Sequence, residues 1–403
     1  MTVAVVPQAI DKLGGNVLFE FEEYDPLKPY GTDRIAFNRL RNTFENNGEK
    51  VGTIDTLHPE EIDICIFIDI NYEYLHQLIS QNDTPILIYI MREPPSVISE
   101  NNNSEIIKLA SVFDHIFTWN SDLARLRNFT GYNIPQYMGT PSHTPVSFDD
   151  QTLITNVSSR KYSDHPEELY SERESIIQYY DENHPDKFSL YGQYWNKPPS
   201  MGNIYFDQKF NYKEYDTYSG LADSKSKVYR QHKFALCFEN MTGISGYITE
   251  KIFDCFRGGT VPIYWGADNI TEYIPSNTFI DYRKYGSPEQ LHRKICSFDR
   301  KEYNEYINAG REFLRKKPDK LKPSTYAETI YKTVSRIVSR KTSQIPPSMK
   351  REINTKGGKR KFVRDSKDMT FGTYLSQLIE TTSNMPTLKS KLTTVVESLA
   401  HRY

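Results

Sequence analysis

The chain lacks any uninterrupted apolar run of about 18 residues, the length a membrane-spanning helix requires. No apolar stretch of signal-peptide length follows Met1, so a soluble, cytoplasmic protein is expected. Cysteine is scarce: four in 403 residues, far apart and without a Cys-x-x-Cys. That excludes a disulfide scaffold and a thiolate zinc knuckle, and it fits reduced, buried thiols in a reducing compartment. An excess of one charge is also missing. Fifty Lys and Arg face 52 Asp and Glu, a formal net charge of −2, so no global field draws the chain to nucleic acid or to a membrane. There is no Asp-x-Asp, His-Glu-x-x-His, Gly-x-x-x-x-Gly-Lys-Ser/Thr or Gly-x-Ser-x-Gly, and the nine His are scattered. The common metal, P-loop and serine-hydrolase chemistries therefore have no anchor here, and no metal site is expected.

What is present suits a two-domain α/β protein. At 403 residues the chain exceeds one ordinary domain, and 29 Tyr with 21 Phe can supply core. From residue 16 to about 140, apolar runs alternate with polar, helix-like stretches. Val17 to Phe21 and Lys50 to Leu57 read as strands, and Asp33 as the N-cap of a helix through Phe44. Ile64 to Ile70, Pro85 to Met91 and Asp114 to Trp119 have the length and composition of buried parallel strands. The Pro/Ser/Thr-rich passage 141–156 reads as a linker. Beyond it come a helix over Glu172 to Tyr180, a strand over Phe188 to Tyr191 and a last short strand over Phe279 to Tyr282. Two helices, roughly 289–317 and 323–340, follow.

The stretch from Lys233 to Gly266, KFALCFENMTGISGYITEKIFDCFRGGTVPIYWG, carries the most chemistry. It reads as strand, glycine-containing loop, helix, Gly-Gly turn and strand, with polar residues gathered where the first strand ends. Ligands of open α/β sheets bind at such carboxyl ends. Glu250 and Lys251 open the helix behind Thr249, a candidate N-cap. Exposed N–H groups, the helix dipole and the Lys251 ammonium favour an anion there, as a diphosphate leaving group requires. Glu250 can hold sugar or ribose hydroxyls. The bland alternative is a capping carboxylate beside a surface lysine.

This order of residues resembles the signature of the α-1,3/1,4-fucosyltransferases, glycosyltransferase family 10. Their pattern runs from an apolar strand into Phe-Glu-Asn, then a short loop, Tyr-Val/Ile-Thr-Glu-Lys and a Gly/Thr-Val/Ile-Pro strand. The resemblance implies a GT-B α/β fold: two Rossmann-like domains facing a central cleft, here with a basic C-terminal extension. The expected divisions are an acceptor-binding domain over 1–145, a GDP-fucose-binding domain over 146–340 and an extension over 341–403. It also implies an inverting transfer of L-fucose from GDP-β-L-fucose to a GlcNAc hydroxyl of an oligosaccharide such as N-acetyllactosamine, in α-1,3 and/or α-1,4 linkage. By resemblance Asn240, Tyr247, Glu250 and Lys251 fall on donor-binding positions, with one extra residue between Asn240 and Tyr247. Arg173, in "LYSERESIIQYY", matches the family arginine that grips the diphosphate with its planar fork; alternatively it is a solvent-facing residue of a first helical turn. Glu93, after the Pro85–Met91 run, matches the general base, and neighbouring Arg92 favours its ionised form. Without the membrane anchor of animal members, the chain resembles the soluble bacterial or viral type. The resemblance implies no metal cofactor. Other readings are a related transferase with another nucleotide sugar, or a non-catalytic glycan-binding scaffold.

The end of the chain differs in composition. Ten Lys/Arg and three Asp/Glu lie between Arg340 and Asp368. This segment reads either as a peripheral membrane or other anion-binding patch or as a solvated linker to a final helical pair.

Overall fold

The computed structural model describes residues 1–21, 31–80, 84–139, 146–196, 200–201, 204–205 and 213–344. The basic segment after Arg340 and the apolar positions 388–399 fall almost wholly outside these residues.

Two parallel sheets organise the chain. The first has six strands in the order β2-β1-β3-β4-β5-β6. They are β1 (Thr2–Pro7), β2 (Lys50–Thr53), β3 (Ile64–Ile68), β4 (Ile86–Ile90), β5 (His115–Thr118) and β6 (Phe129–Gly131). β3 is buried at every position and β4 at nearly every one, because helices cover both faces of such a sheet. Helices α1 (Ile10–Leu13), α2 (Gly31–Glu45), α3 (Tyr72–Ile79) and α4 (Asn103–Leu109) belong to this domain. The second sheet has the order β13-β12-β11-β7-β8, built from β7 (Thr152–Val157), β8 (Phe188–Tyr191), β11 (His232–Phe238), β12 (Val261–Trp265) and β13 (Ile280–Asp281). A small antiparallel pair, β9 (Ser200–Met201) and β10 (Ile204–Tyr205), stands apart. Around the second sheet lie α5 (Tyr170–Asn183), α6 (Lys225–Arg230), α7 (Glu250–Gly258), α8 (Pro288–Cys296) and α9 (Arg300–Lys316).

Several expectations need correction. Thr2–Pro7, not Val17–Phe21, is the opening strand; Val17–Phe19 is a 3₁₀ turn entered through Asn16 at φ 68°. The Asn16 side chain accepts a hydrogen bond from the Thr53 amide (2.9 Å) and ties that turn to β2. The first long helix begins at Gly31, ahead of Asp33. The linker reading fails over 152–156, which form most of β7, a central strand. Its threonines and asparagine disguise it, yet Thr155 is buried and its hydroxyl donates to the Ser189 carbonyl (2.8 Å). The single helix expected over 289–317 is two, since Asp299 caps a new start by accepting from the Glu302 amide (2.7 Å). Finally, α10 (Pro323–Gln344) returns to the first domain. Tyr326, Ala327, Ile330 and Val334 complete that domain's core beside Phe37, Leu40 and Phe44, so a boundary at 340 does not follow the packing.

The carboxyl ends of the two sheets face one another. Ser96 Oγ, beyond β4, donates to the Asn240 carbonyl, beyond β11 (3.4 Å), and the Ser121 amide donates to the Ser245 carbonyl (3.4 Å). Trp119 and Tyr247 meet with ring centroids 4.9 Å apart. Gly246, at φ +95°, lies so close to the first domain that a Cβ there would stand 2.2 Å from the Trp119 carbonyl oxygen. Both the backbone angle and the approach require glycine.

Candidate active site

The βαβ unit read from the sequence is present: β11, the loop 239–249, α7 and β12. At the strand end Glu239 is completely buried. Its Oε1 accepts from the Thr249 amide (2.8 Å), and its Oε2 accepts from the Thr249 hydroxyl (2.6 Å) and from Lys251 Nζ (3.0 Å). Thr249 occupies the N-cap position of α7 but makes no side-chain cap bond, because its hydroxyl is turned to Glu239. Burial opposes the Lys251 charge, but Glu239 and Glu250 outweigh it and raise the ammonium's pKa. Lys251 is thus a fixed cation in the first turn of a helix. Burial likewise opposes the Glu250 charge, yet Lys251, Lys225 and Arg92 pull its carboxyl down to about 2. Lys225 in turn pairs with Asp254 (3.1 Å).

Arg173 is neither solvent-facing nor free to swing. It is 4% exposed, and its Nη2 donates to the carbonyls of Phe238 (2.8 Å) and Glu239 (3.2 Å), closing the end of β11. Its charge still acts on Lys251 and on Lys161. Lys161, in the loop after β7, is exposed to solvent yet stands among protein walls. These and the nearby cations Lys251 and Arg173 lower its pKa, against the pull of Glu93 and Glu250. Three cations therefore converge where β7, β11 and α7 meet.

Across the cleft, Glu93 follows β4 with its side chain 34% exposed and Arg92 Nη1 4.0 Å from its Oε1. Asn240 and Tyr247 serve the junction between domains: Asn240 Nδ2 donates to the Tyr247 hydroxyl (3.1 Å), and Tyr247 is buried against Trp119. Of the aromatic residues a sugar could stack on, Tyr89, Trp119 and Trp195 are buried. His232 is structural, its Nδ1 2.7 Å from the Val228 carbonyl. The site thus brings together Glu93, Arg173, Glu250 and Lys251, with Asn240 and Tyr247 behind them. Sequence reading missed Glu239 as the anchor of Lys251, although it stood in view as the last residue of the apolar run. Lys161 left no signal, since its surroundings read as a polar loop. Among the described residues no group of three His, Cys, Asp or Glu could hold a metal ion, and no helix is long and apolar enough to cross a membrane.

Two Rossmann-like parallel sheets with a charged cleft between their carboxyl ends define a GT-B protein. The family model "Glycosyltransferase family 10 (fucosyltransferase) C-term" matches residues 174–351. Over those residues, less than half of the chain, the sequence is similar to that family. Among curated relatives, an alpha-(1,4)-fucosyltransferase of Arabidopsis thaliana is 40% identical over 77 residues, 19% of each chain. A GDP-fucose protein O-fucosyltransferase 3 of Bos taurus is 31% identical over 130 residues, 27% of each chain. The matches therefore span only 19% and 27% of these relatives' lengths. A crystal structure of an alpha1,3-fucosyltransferase superposes with a TM-score of 0.47 at 15% identity, covering 84% of this chain and 90% of that one.

Proposed function

We propose that this protein transfers L-fucose from GDP-β-L-fucose, with inversion at C1, to a GlcNAc hydroxyl of an oligosaccharide, in α-1,3 and/or α-1,4 linkage. The observation that carries the reading is the convergence of Lys161, Arg173 and Lys251 opposite Glu93. In the step itself, Glu93 takes the acceptor hydroxyl's proton. The acceptor oxygen's electron pair forms the new bond to C1, and the C1–O bond to the diphosphate breaks with its electrons leaving on GDP. Lys251, held by Glu239, with Arg173 and Lys161, offsets the negative charge that develops on the leaving group. Glu250, fixed as a carboxylate, accepts hydrogen bonds from donor hydroxyls. On this reading positive side chains do the work that a divalent cation performs in other transferases.

The test is incubation with GDP-fucose, N-acetyllactosamine and excess EDTA, following GDP release and product mass. Fucosylated product is expected, with loss of about 10²- to 10⁴-fold in rate for Glu93→Gln, the usual contribution of a positioned base. Lys251→Ala should weaken GDP binding. A parallel arm with folded protein acceptors follows from the name of the bovine relative. Transfer from another nucleotide sugar instead would change the donor; absence of GDP binding would leave a glycan-binding scaffold.

A further inference from the structure

Beneath Glu93 lies a second carboxylate that the reaction as described does not use. Asp69 follows β3 at φ 55°, in the left-handed region that non-glycine residues seldom occupy. It is 3% exposed. Its Oδ1 accepts from the Arg92 amide (2.8 Å) and its Oδ2 from the Glu93 amide (3.0 Å). Asn101, fully buried, donates from its Nδ2 both to Asp69 Oδ1 (2.7 Å) and to the Glu93 carbonyl (2.7 Å). Asn101 is itself oriented by the Tyr89 hydroxyl, which donates to its Oδ1 (2.7 Å). Trp119 Nε1 secures the Arg92 carbonyl (3.1 Å). Both backbone polar groups of Glu93 are therefore held by buried side chains, while its own carboxylate projects toward the cleft.

Neutral acceptors could have filled this role without burying a charge. The groups facing Asp69 are Glu93 and Arg92 from the turn, Tyr89 from β4, and, around Tyr89, Glu100, Tyr72 and Tyr132. Burial first, and then the Glu93 charge, push the Asp69 carboxyl up to about 7, against the hydrogen bonds from Asn101, Arg92 and Glu93.

We propose that Asp69 is a positioning residue for Glu93: with Asn101 it fixes the backbone from which Glu93 projects. This rests on the reading of Glu93 as the base. Asp69→Asn keeps the shape and the Oδ1 acceptor but removes the charge and turns an NH₂ to the Glu93 amide that Oδ2 now holds. With GDP-fucose and N-acetyllactosamine, kcat should fall about tenfold, less than the roughly 10²- to 10⁴-fold that loss of the base itself costs. GDP affinity and the KM for GDP-fucose should be unchanged. An unchanged kcat, or equal loss of rate and GDP affinity, would overturn the proposal. Carboxyl ¹³C spectra of the protein without substrate give a readout that needs no activity. A carboxyl titrating near neutrality should vanish in Asp69→Asn and move to lower pH in Glu93→Gln. If that coupling appears and no fucose is transferred, the assignment of the reaction fails while the pairing of Asp69 with Glu93 stands; if Glu93→Gln leaves the titration in place, the pairing fails.

Discussion

Replacing Glu239 tests the architecture of the cationic side directly. Its carboxylate satisfies three donors, the Thr249 amide, the Thr249 hydroxyl and Lys251 Nζ, at 2.8, 2.6 and 3.0 Å. Glu239→Ala leaves two buried donors and an ammonium without its counter-charge. Removing one member of a buried pair costs about 3–5 kcal/mol. Lys251 keeps the Thr249 hydroxyl as an acceptor at 2.9 Å, and its side chain is 24% exposed, which places the loss near the lower end, about 3 kcal/mol. Glu239→Gln retains an acceptor for the Thr249 amide but presents an NH₂ to the other two donors, a loss of about 1–3 kcal/mol. Relaxation around the site is restricted, because a Cβ on Gly266 would already stand 2.4 Å from Glu239 Cγ. Urea unfolding without nucleotide should rank the midpoints wild type, Gln, Ala, with m-values unchanged. Calorimetry should show GDP affinity falling in the same order, since Lys251 loses its fixed place. A Gln variant with wild-type midpoint and wild-type GDP affinity would refute the claim that Glu239 anchors this lysine.

Acid stability should report Glu250. Its folded carboxyl sits near 2 against an ordinary 4.5, so it contributes stability above about pH 4.5 that is lost as pH falls toward 2; Glu250→Gln should flatten that limb in pH-dependent unfolding. Gly246→Ala forces an alanine into a positive φ and against the Trp119 carbonyl, costing about 1–3 kcal/mol from the backbone alone; a thermal midpoint equal to wild type would count against this packing. Ile330→Ala, in α10, should cost about 2–5 kcal/mol, and hydrogen exchange should rise in β1, β3 and β4 although the residue lies beyond the second domain in sequence. Lys161, which has no ion-pair partner among the described residues, should matter to phosphate alone: Lys161→Ala is expected to weaken GDP binding and leave guanosine binding unchanged, and equal losses for both would exclude the role.

The parts of the fold that were legible in the sequence are those whose burial is continuous. Ile64 to Ile68 and Ile86 to Ile90 announce themselves because helices cover both faces and nearly every side chain is apolar. β7 failed this test because Thr152, Thr155 and Asn156 interrupt its apolar pattern, and the acceptor for the Thr155 hydroxyl, the Ser189 carbonyl, is supplied only by the folded chain. β1 is apolar from Val3 onward but is only six residues long and ends in Pro7, which weakens a pattern-based reading. The return of α10 to the first domain is invisible for another reason. An amphipathic helix shows which face it buries, not what it is buried against. The same limit applies to the site. Glu250 and Lys251 were legible as residue types at a helix start, whereas the inward turn of Arg173 depends on carbonyls 65 and 66 residues away in the chain.

The division of charge between the sheets gives a physical reason for building the site from two domains. A base and the cations that hold a diphosphate have opposite charge, and side by side at 4 Å they would attract by about 4 kcal/mol in a protein-like dielectric of 20. Such a pair would hold itself shut rather than receive substrate. Here the second domain's cations are committed locally: Lys251 to Glu239 and Lys225 to Asp254, with Arg173 on backbone carbonyls. The first domain's carboxylates are likewise tied to their own turn, Asp69 through the amides of Arg92 and Glu93. Among the described residues the ion pairs lie within one domain or the other, and none joins Glu93 to Lys251, Arg173 or Lys161. What crosses the cleft are hydrogen bonds such as Ser96 to Asn240, together with the packing of Trp119 on Tyr247. Opposite charges held apart by their own domains leave between them a gap with negative charge on one wall and positive charge on the other. On the proposed reading, a donor bridges that gap with its diphosphate toward the cations and its sugar toward Glu93.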